Sequence, residues 1–195
     1  MSHQVKDIIS LMEDIAPPHL AEPWDNVGLL VGSEQASVDK IMVTLDVTDD
    51  VIQQAIHEKV NLIISHHPVL FKPIKEIIDT TLTGSTLLKL IQNGISVYSA
   101  HTNLDKAKGG TDDTLAELLE IQDVSPLLPS SSSESWGSLG RIGRLSETIT
   151  LEEYLRKVKR ALKVEVVDFI GDAARKIQVV ASCAGAGGDF VEEAR

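Results

Sequence analysis

Two short runs in this 195-residue chain hold the residue types best suited to chemistry. The first is Ser65-His66-His67-Pro68, which follows the apolar stretch 60–64. Imidazole is a good ligand for Zn, Fe and other divalent metals. Pro68 keeps His67 extended and out of the helical region. Neighbouring residues on a strand point to opposite sides. Adjacent histidines at a strand end can therefore reach two metals, or approach one cluster from two directions. The second run, Ser99-Ala100-His101-Thr102-Asn103-Leu104-Asp105, leaves the next strand-like segment, 95–100. If the two strands are neighbours, Asp105 arrives near the histidine pair, where a carboxylate can bridge two cations. A dinuclear site of this kind has its metals ~3.5–4 Å apart. His66, His67 and Asp105 are the predicted metal ligands. Three roles are open to His101: ligand, orienter of a ligand, or general acid/base. It is taken as the catalytic candidate.

Two further groups are weaker. Trp24-Asp25-Asn26 precedes an apolar run and is the candidate substrate-binding group, although an Asx turn would use the same residues. Gly185-Ala186-Gly187-Gly188-Asp189 lies after a strand and before an expected helix at 190–195, a layout that can cradle an anion. It lacks P-loop and dinucleotide spacing. Cys183 has no histidine beside it and reads as a small buried hydrophobe.

The elements that must position these residues follow from periodicity. Val5, Ile8, Ile9 and Met12 mark one face of a helix over 3–16, which Pro17 and Pro18 end. Segments 27–32 and 40–47 read as strands. Thr48 caps a helix with Asp49 and Asp50 in its first turn. Strand 60–64 completes a β-α-β unit, which favours parallel strands. Helix 86–92, with Gly94 as its stop, and strand 95–100 repeat the pattern. Thr111 is expected to cap a further helix. Beyond the Ser-rich stretch 129–135, a strand is expected over 138–145. Thr150 and Glu153 form a capping box, and 164–169 and 177–182 read as strands. The expected architecture is α/β, a mainly parallel sheet flanked by helices. It divides into a first half at 1–128, a Ser-rich loop at 129–137 and a second half at 138–195.

Composition narrows the function classes. Lys and Arg number 18 against 29 Asp and Glu, a net charge of -11 that argues against general nucleic-acid binding. A nucleotide held by a bound metal is still compatible, because a dication inverts the local charge. One cysteine cannot form an internal disulfide, which suits a reducing compartment. No secretory pattern opens the chain, and no apolar run approaches the ~20 residues that cross a bilayer. A cytoplasmic protein with no membrane partner is expected.

Four stretches in order resemble the GTP cyclohydrolase 1 type 2 homologues, also called NGG-interacting-factor-three-like proteins. They are Pro17-Pro18 through Leu29, Leu45-Asp46 through Pro68, Ser99 through Asp105, and Val180 through Gly188. The resemblance implies two divalent cations per subunit (Zn, Fe or Mn), with His66, His67 and Asp105 at three ligand positions. It implies a homohexamer, a trimer of dimers. It implies a metal-dependent hydrolase acting on GTP or a related nucleotide; the alternative is a non-catalytic metal-dependent scaffold or regulator. The family's remaining ligands are a histidine and a glutamate near the C-terminus. No histidine follows His101 here. The second of two similar α/β halves is therefore expected to be truncated, leaving an incomplete site that holds at most one metal, loosely.

Overall fold

The computed structural model describes residues 3–128 and 138–195, so the Ser-rich segment 129–137 lies outside the described residues. The chain forms two compact units, 1–104 and 105–195.

The first unit opens with β1 (His3–Gln4) and α1 (Val5–Ile15), which ends where Pro17 and Pro18 forbid another turn. Then come β2 (Gly28–Val31), β3 (Ser37–Val38) and β4 (Ile41–Thr44). Next are α2 (Asp49–His57), β5 (Leu62–Ser65), α3 (Leu82–Gln92) and β6 (Ser96–Ser99). The Thr48 side chain accepts from Val51 N, capping α2 as expected. Helix α3 begins a turn earlier than its apolar face suggests, because Thr81 caps it through Gly84 N. Gly94, at φ +64°, ends it in the left-handed conformation that glycine adopts without strain.

Four of these strands form one sheet in the order β2-β6-β5-β4, and β1 pairs with β3 in a separate two-stranded sheet. The β4-β5 and β5-β6 pairs are parallel, with Thr44 opposite Ser65 and Ser65 opposite Ser99. Edge strand β2 is antiparallel to β6, Gly28 facing Ser99. β6 is buried along its whole length, as a central strand covered on both faces must be. Ile52, Ala55, Ile63, Leu87, Leu90 and Val97 form the core that fixes this register.

The chain passes out of this unit within α4 (Thr102–Lys106). The second unit holds α5 (Thr111–Leu118), β7 (Gln122–Pro126), β8 (Arg141–Thr150), α6 (Leu151–Leu162) and β9 (Lys176–Ser182). Its sheet, β7-β8-β9, is antiparallel throughout. Its core gathers Ala116, Leu119 and Ile121 with Val158, Ala161 and Val180 packed against them. The Thr150–Glu153 capping box opens α6 as expected.

Several expectations need correction. The sheets are mixed and antiparallel, not mainly parallel. The β8-β9 pair shows that a helix between two strands does not by itself impose parallel pairing. Here the chain runs on through 163–175 after α6, far enough for β9 to re-enter beside β8 in the opposite sense. Segment 164–169 is not a strand. Its apolar residues alternate, but Val164, Val166 and Phe169 are exposed and no ladder pairs them. Thr111 is the first helical residue of α5, and Gly110 occupies the cap position. Residues 190–195 form no α-helix; a short 3-10 turn, Gly187–Phe190, stands there. The Gly185–Gly188 stretch therefore lacks the helix an anion cradle would need. Among the described residues, no helix is long and apolar enough to cross a membrane.

Candidate metal centre

Three parallel strands end at one edge of the first sheet, and the residues just beyond them make the site. His66 N donates to Thr44 O at 3.1 Å and His67 N to Leu45 O at 2.9 Å, extending the β4-β5 ladder past the strands. Ala100 N donates to Ser65 O at 3.0 Å on the other side. The Ser65 and Ser99 hydroxyls meet at 2.8 Å. Ser65 Oγ also donates to His67 O at 2.9 Å, so Ser99 must supply the hydrogen between the two serines. This buried relay ties the histidine pair to β6.

The result is a cluster of His66, His67 and His101, each offering a ligand atom within 4.8 Å of the others. Ring centroids lie 5.1 Å apart for His66–His67 and His66–His101, and 5.6 Å for His67–His101. Two nitrogens on one ion at ~2.1 Å can be at most ~4.2 Å apart. A small closure of the rings would therefore satisfy a single cation.

Each ring also has one nitrogen committed. His66 Nδ1 meets Ala100 O at 3.0 Å, His67 Nδ1 meets Asp46 Oδ1 at 2.7 Å, and His101 Nδ1 meets Asp25 Oδ1 at 2.9 Å. A carbonyl or an ionised carboxylate can only accept. All three rings therefore donate from Nδ1, and each neutral ring keeps its lone pair on Nε2. Three imidazoles converging at one strand edge are a donor set that a divalent first-row metal takes. The residues present fit such an ion.

The 24–26 loop reaches this edge because antiparallel β2 begins where β6 ends. Gly28, at φ +98°, turns the chain into the strand. Asp25 is wholly buried at its side chain. Its Oδ2 accepts from Thr102 N at 3.0 Å and from the Thr102 hydroxyl. Burial raises the Asp25 pKa, but hydrogen bonds from His101, Thr102 and the Asn26 amide outweigh it and hold the carboxyl below its ordinary value. Asn26 Nδ2 donates to Leu70 O, which pins this loop to the segment after Pro68. Trp24 and Phe71 meet edge to face at 5.9 Å, both exposed, and each lies 6.4 Å from the His101 ring.

Of the residues singled out in the sequence, the structure brings together His66, His67, His101, Asp25 and Trp24. Asn26 joins through the backbone of Leu70. Asp105 is buried in the second unit. Asp46 was named only as the start of one of the resembling stretches and given no role, and Phe71 was not singled out. Asp46 follows the third parallel strand by two residues, so the rule that flagged His66 and His101 would have found it. Phe71 carries no comparable signal.

The comparisons with known proteins agree with the motifs. The model of the family described as Duf34/NIF3 (NGG1p interacting factor 3) matches residues 3–195. The chain belongs to that family. A "GTP cyclohydrolase 1 type 2 homolog" of Clostridium acetobutylicum is 44% identical over 195 residues, all of this chain and 73% of that protein. A Bacillus cereus protein related to NIF3 superposes with a TM-score of 0.91 at 26% identity, over all of this chain and 80% of that one. A Staphylococcus aureus protein, SA1388, does so with a TM-score of 0.90 at 27% identity, over all of this chain and 76% of that one. Family membership expected from the sequence is thereby confirmed.

Proposed function

We propose that this chain is a divalent-metal-binding hydrolase acting on GTP or a related nucleotide. The observation that carries the metal half is the convergence of three histidines whose Nδ1 atoms are all held by acceptors. The nucleotide half rests on the name of the Clostridium relative and on the exposed Trp24–Phe71 pair beside His101. A bound dication would lower the pKa of a coordinated water and polarise the bond under attack. His66 and His67 would hold that ion. His101 would join them, or move a proton at Nε2 while Asp25 keeps its Nδ1 proton in place. Trp24 would lie against a planar base. Asp25, fully engaged with His101 and Thr102, would act on substrate only through His101. Including Asp105 in the ligand set rests on its place in the His-Thr-Asn-Leu-Asp motif.

By the same resemblance the metal is Zn, Fe or Mn, bound two per subunit in the family and at most once in this chain, and the assembly is a cytoplasmic homohexamer. The test is metal analysis of protein purified without chelators, followed by GTP turnover with each metal supplied. Metal retention with turnover, both lost in His67→Ala, is the expected result. Retention with no turnover of any nucleotide would favour a scaffold. Failure to retain any of the three metals would end the reading.

A further inference from the structure

A neutral histidine in water with no partner carries its proton mainly on Nε2. At this site that tautomer would put an N–H where a lone pair is needed. The Nδ1 contacts invert the preference at all three rings. For His66 the acceptor is the backbone, Ala100 O, and no substitution can remove it. For the other two rings it is a side chain.

Asp46 is placed for that task by more than chance proximity. Thr44 Oγ1 donates to Asp46 O at 3.0 Å and closes the turn beyond β4. His67 N donates to Leu45 O in the same turn. The two segments are thus registered by backbone before their side chains meet at 2.7 Å. An isolated surface ion pair would explain one such contact. It does not explain three rings of three with the same nitrogen committed to a group that can only accept.

We propose that Asp46 is a positioning residue of the metal centre: it fixes the His67 proton on Nδ1 and turns Nε2 toward the ion, as buried Asp25 does for His101. This rests on the metal-binding reading above. Asp46 gives the cleaner experiment, because its side chain is 53% exposed and its removal leaves no hole in the core, whereas that of Asp25 is fully buried.

The experiment uses the full chain, labelled with 15N at its six histidines. Long-range proton–nitrogen correlations at about pH 8, where an ordinary imidazole is neutral, report which ring nitrogen holds the proton. In metal-free protein, His66, His67 and His101 should all carry it on Nδ1. In Asp46→Ala, His67 alone should move it to Nε2. Zinc affinity, measured against a competing chromophoric chelator, should fall about 10- to 100-fold. Asp46→Glu, which restores the acceptor on a longer arm, should recover part of both signals. A His67 that keeps its Nδ1 proton in Asp46→Ala overturns the proposal. So does a zinc affinity equal to that of the unsubstituted protein. An unsubstituted protein that takes up no zinc is a different failure: it overturns the metal reading itself and, with it, the purpose assigned to Asp46.

Discussion

Asn103 holds Ala16 and His101 at once. Its Nδ2 donates to Ala16 O at 2.7 Å, and its Oδ1 accepts from His101 N at 2.9 Å. Asn103 and Ala16 are both fully buried, so neither bond has water as a substitute. One side chain thereby fixes the backbone of the site and the end of α1. Asn103→Ala should lower stability by roughly 2–4 kcal/mol, since each buried group left without its partner costs about 1–3 kcal/mol. Urea unfolding checks this; a change under about 0.5 kcal/mol would show that the bonds are dispensable.

Arg141 has a comparable role in the second unit. Its side chain is fully buried, and its guanidinium pairs with Asp113 and donates to Ser138 O at 2.9 Å and Lys106 O at 3.2 Å. Asp112, beside it, accepts from Gly140 N and Ala184 N, each at 2.7 Å. Arg141→Met should destabilise by about 3–5 kcal/mol, because it strands the buried Asp112 carboxylate and removes the donor to the Ser138 and Lys106 carbonyls. The midpoint of denaturant unfolding would report it. An unchanged midpoint would mean that the network contributes nothing net.

Cys183 is half-buried, and burial together with the Asp112 and Asp105 carboxylates pushes its thiol up to about 11. Only the thiolate reacts with alkylating agents. At pH 8 its thiolate fraction is ~200-fold below that of an ordinary cysteine near 8.5, so labelling by iodoacetamide should be slower by about that factor. The rate should climb tenfold per pH unit toward 11 in protein that remains folded. A rate at pH 8 matching that of the urea-unfolded chain would contradict the assignment.

Trp24 and Phe71 should matter to substrate and not to metal. Phe71→Ala is expected to raise KM for a nucleotide about 10-fold with kcat little changed, the signature of lost binding that is equal in ground and transition states. Metal content should stay the same. A fall in kcat with KM unchanged would place Phe71 in the chemistry instead.

The site was legible in part. His66, His67 and His101 stand just past apolar β-branched runs, and residues at the ends of adjacent parallel strands meet whatever the loops do. Asp46 escaped notice because Asp-Val-Thr-Asp-Asp reads as the approach to a helix cap, and Thr48 does cap α2. The direction of β2 was not legible either. The run Val-Gly-Leu-Leu-Val-Gly is apolar whichever way it lies, and only its pairing with β6 decides the sense. Segment 164–169 shows the reverse error: alternation suggests a strand, but a strand exists only when another lies beside it. The parallel order of β4, β5 and β6 was readable because consecutive strand-helix-strand units favour parallel neighbours.

The antiparallel lie of β2 has a consequence in time. The histidine pair and His101 come from consecutive β-α-β units, whose closure needs only moderate loops. The Asp25–His101 contact joins positions 76 apart in the chain. Loop closure over that span is entropically dearer than closure of either crossover, and contacts of high sequence separation slow folding. On a nascent chain, Trp24 and Asp25 leave the ribosome long before β6 exists to receive β2. The three rings can gather before the carboxylate that aligns the third has docked. Seating of edge strand β2, and with it the Asp25–His101 contact, is therefore expected to trail the assembly of the three parallel strands.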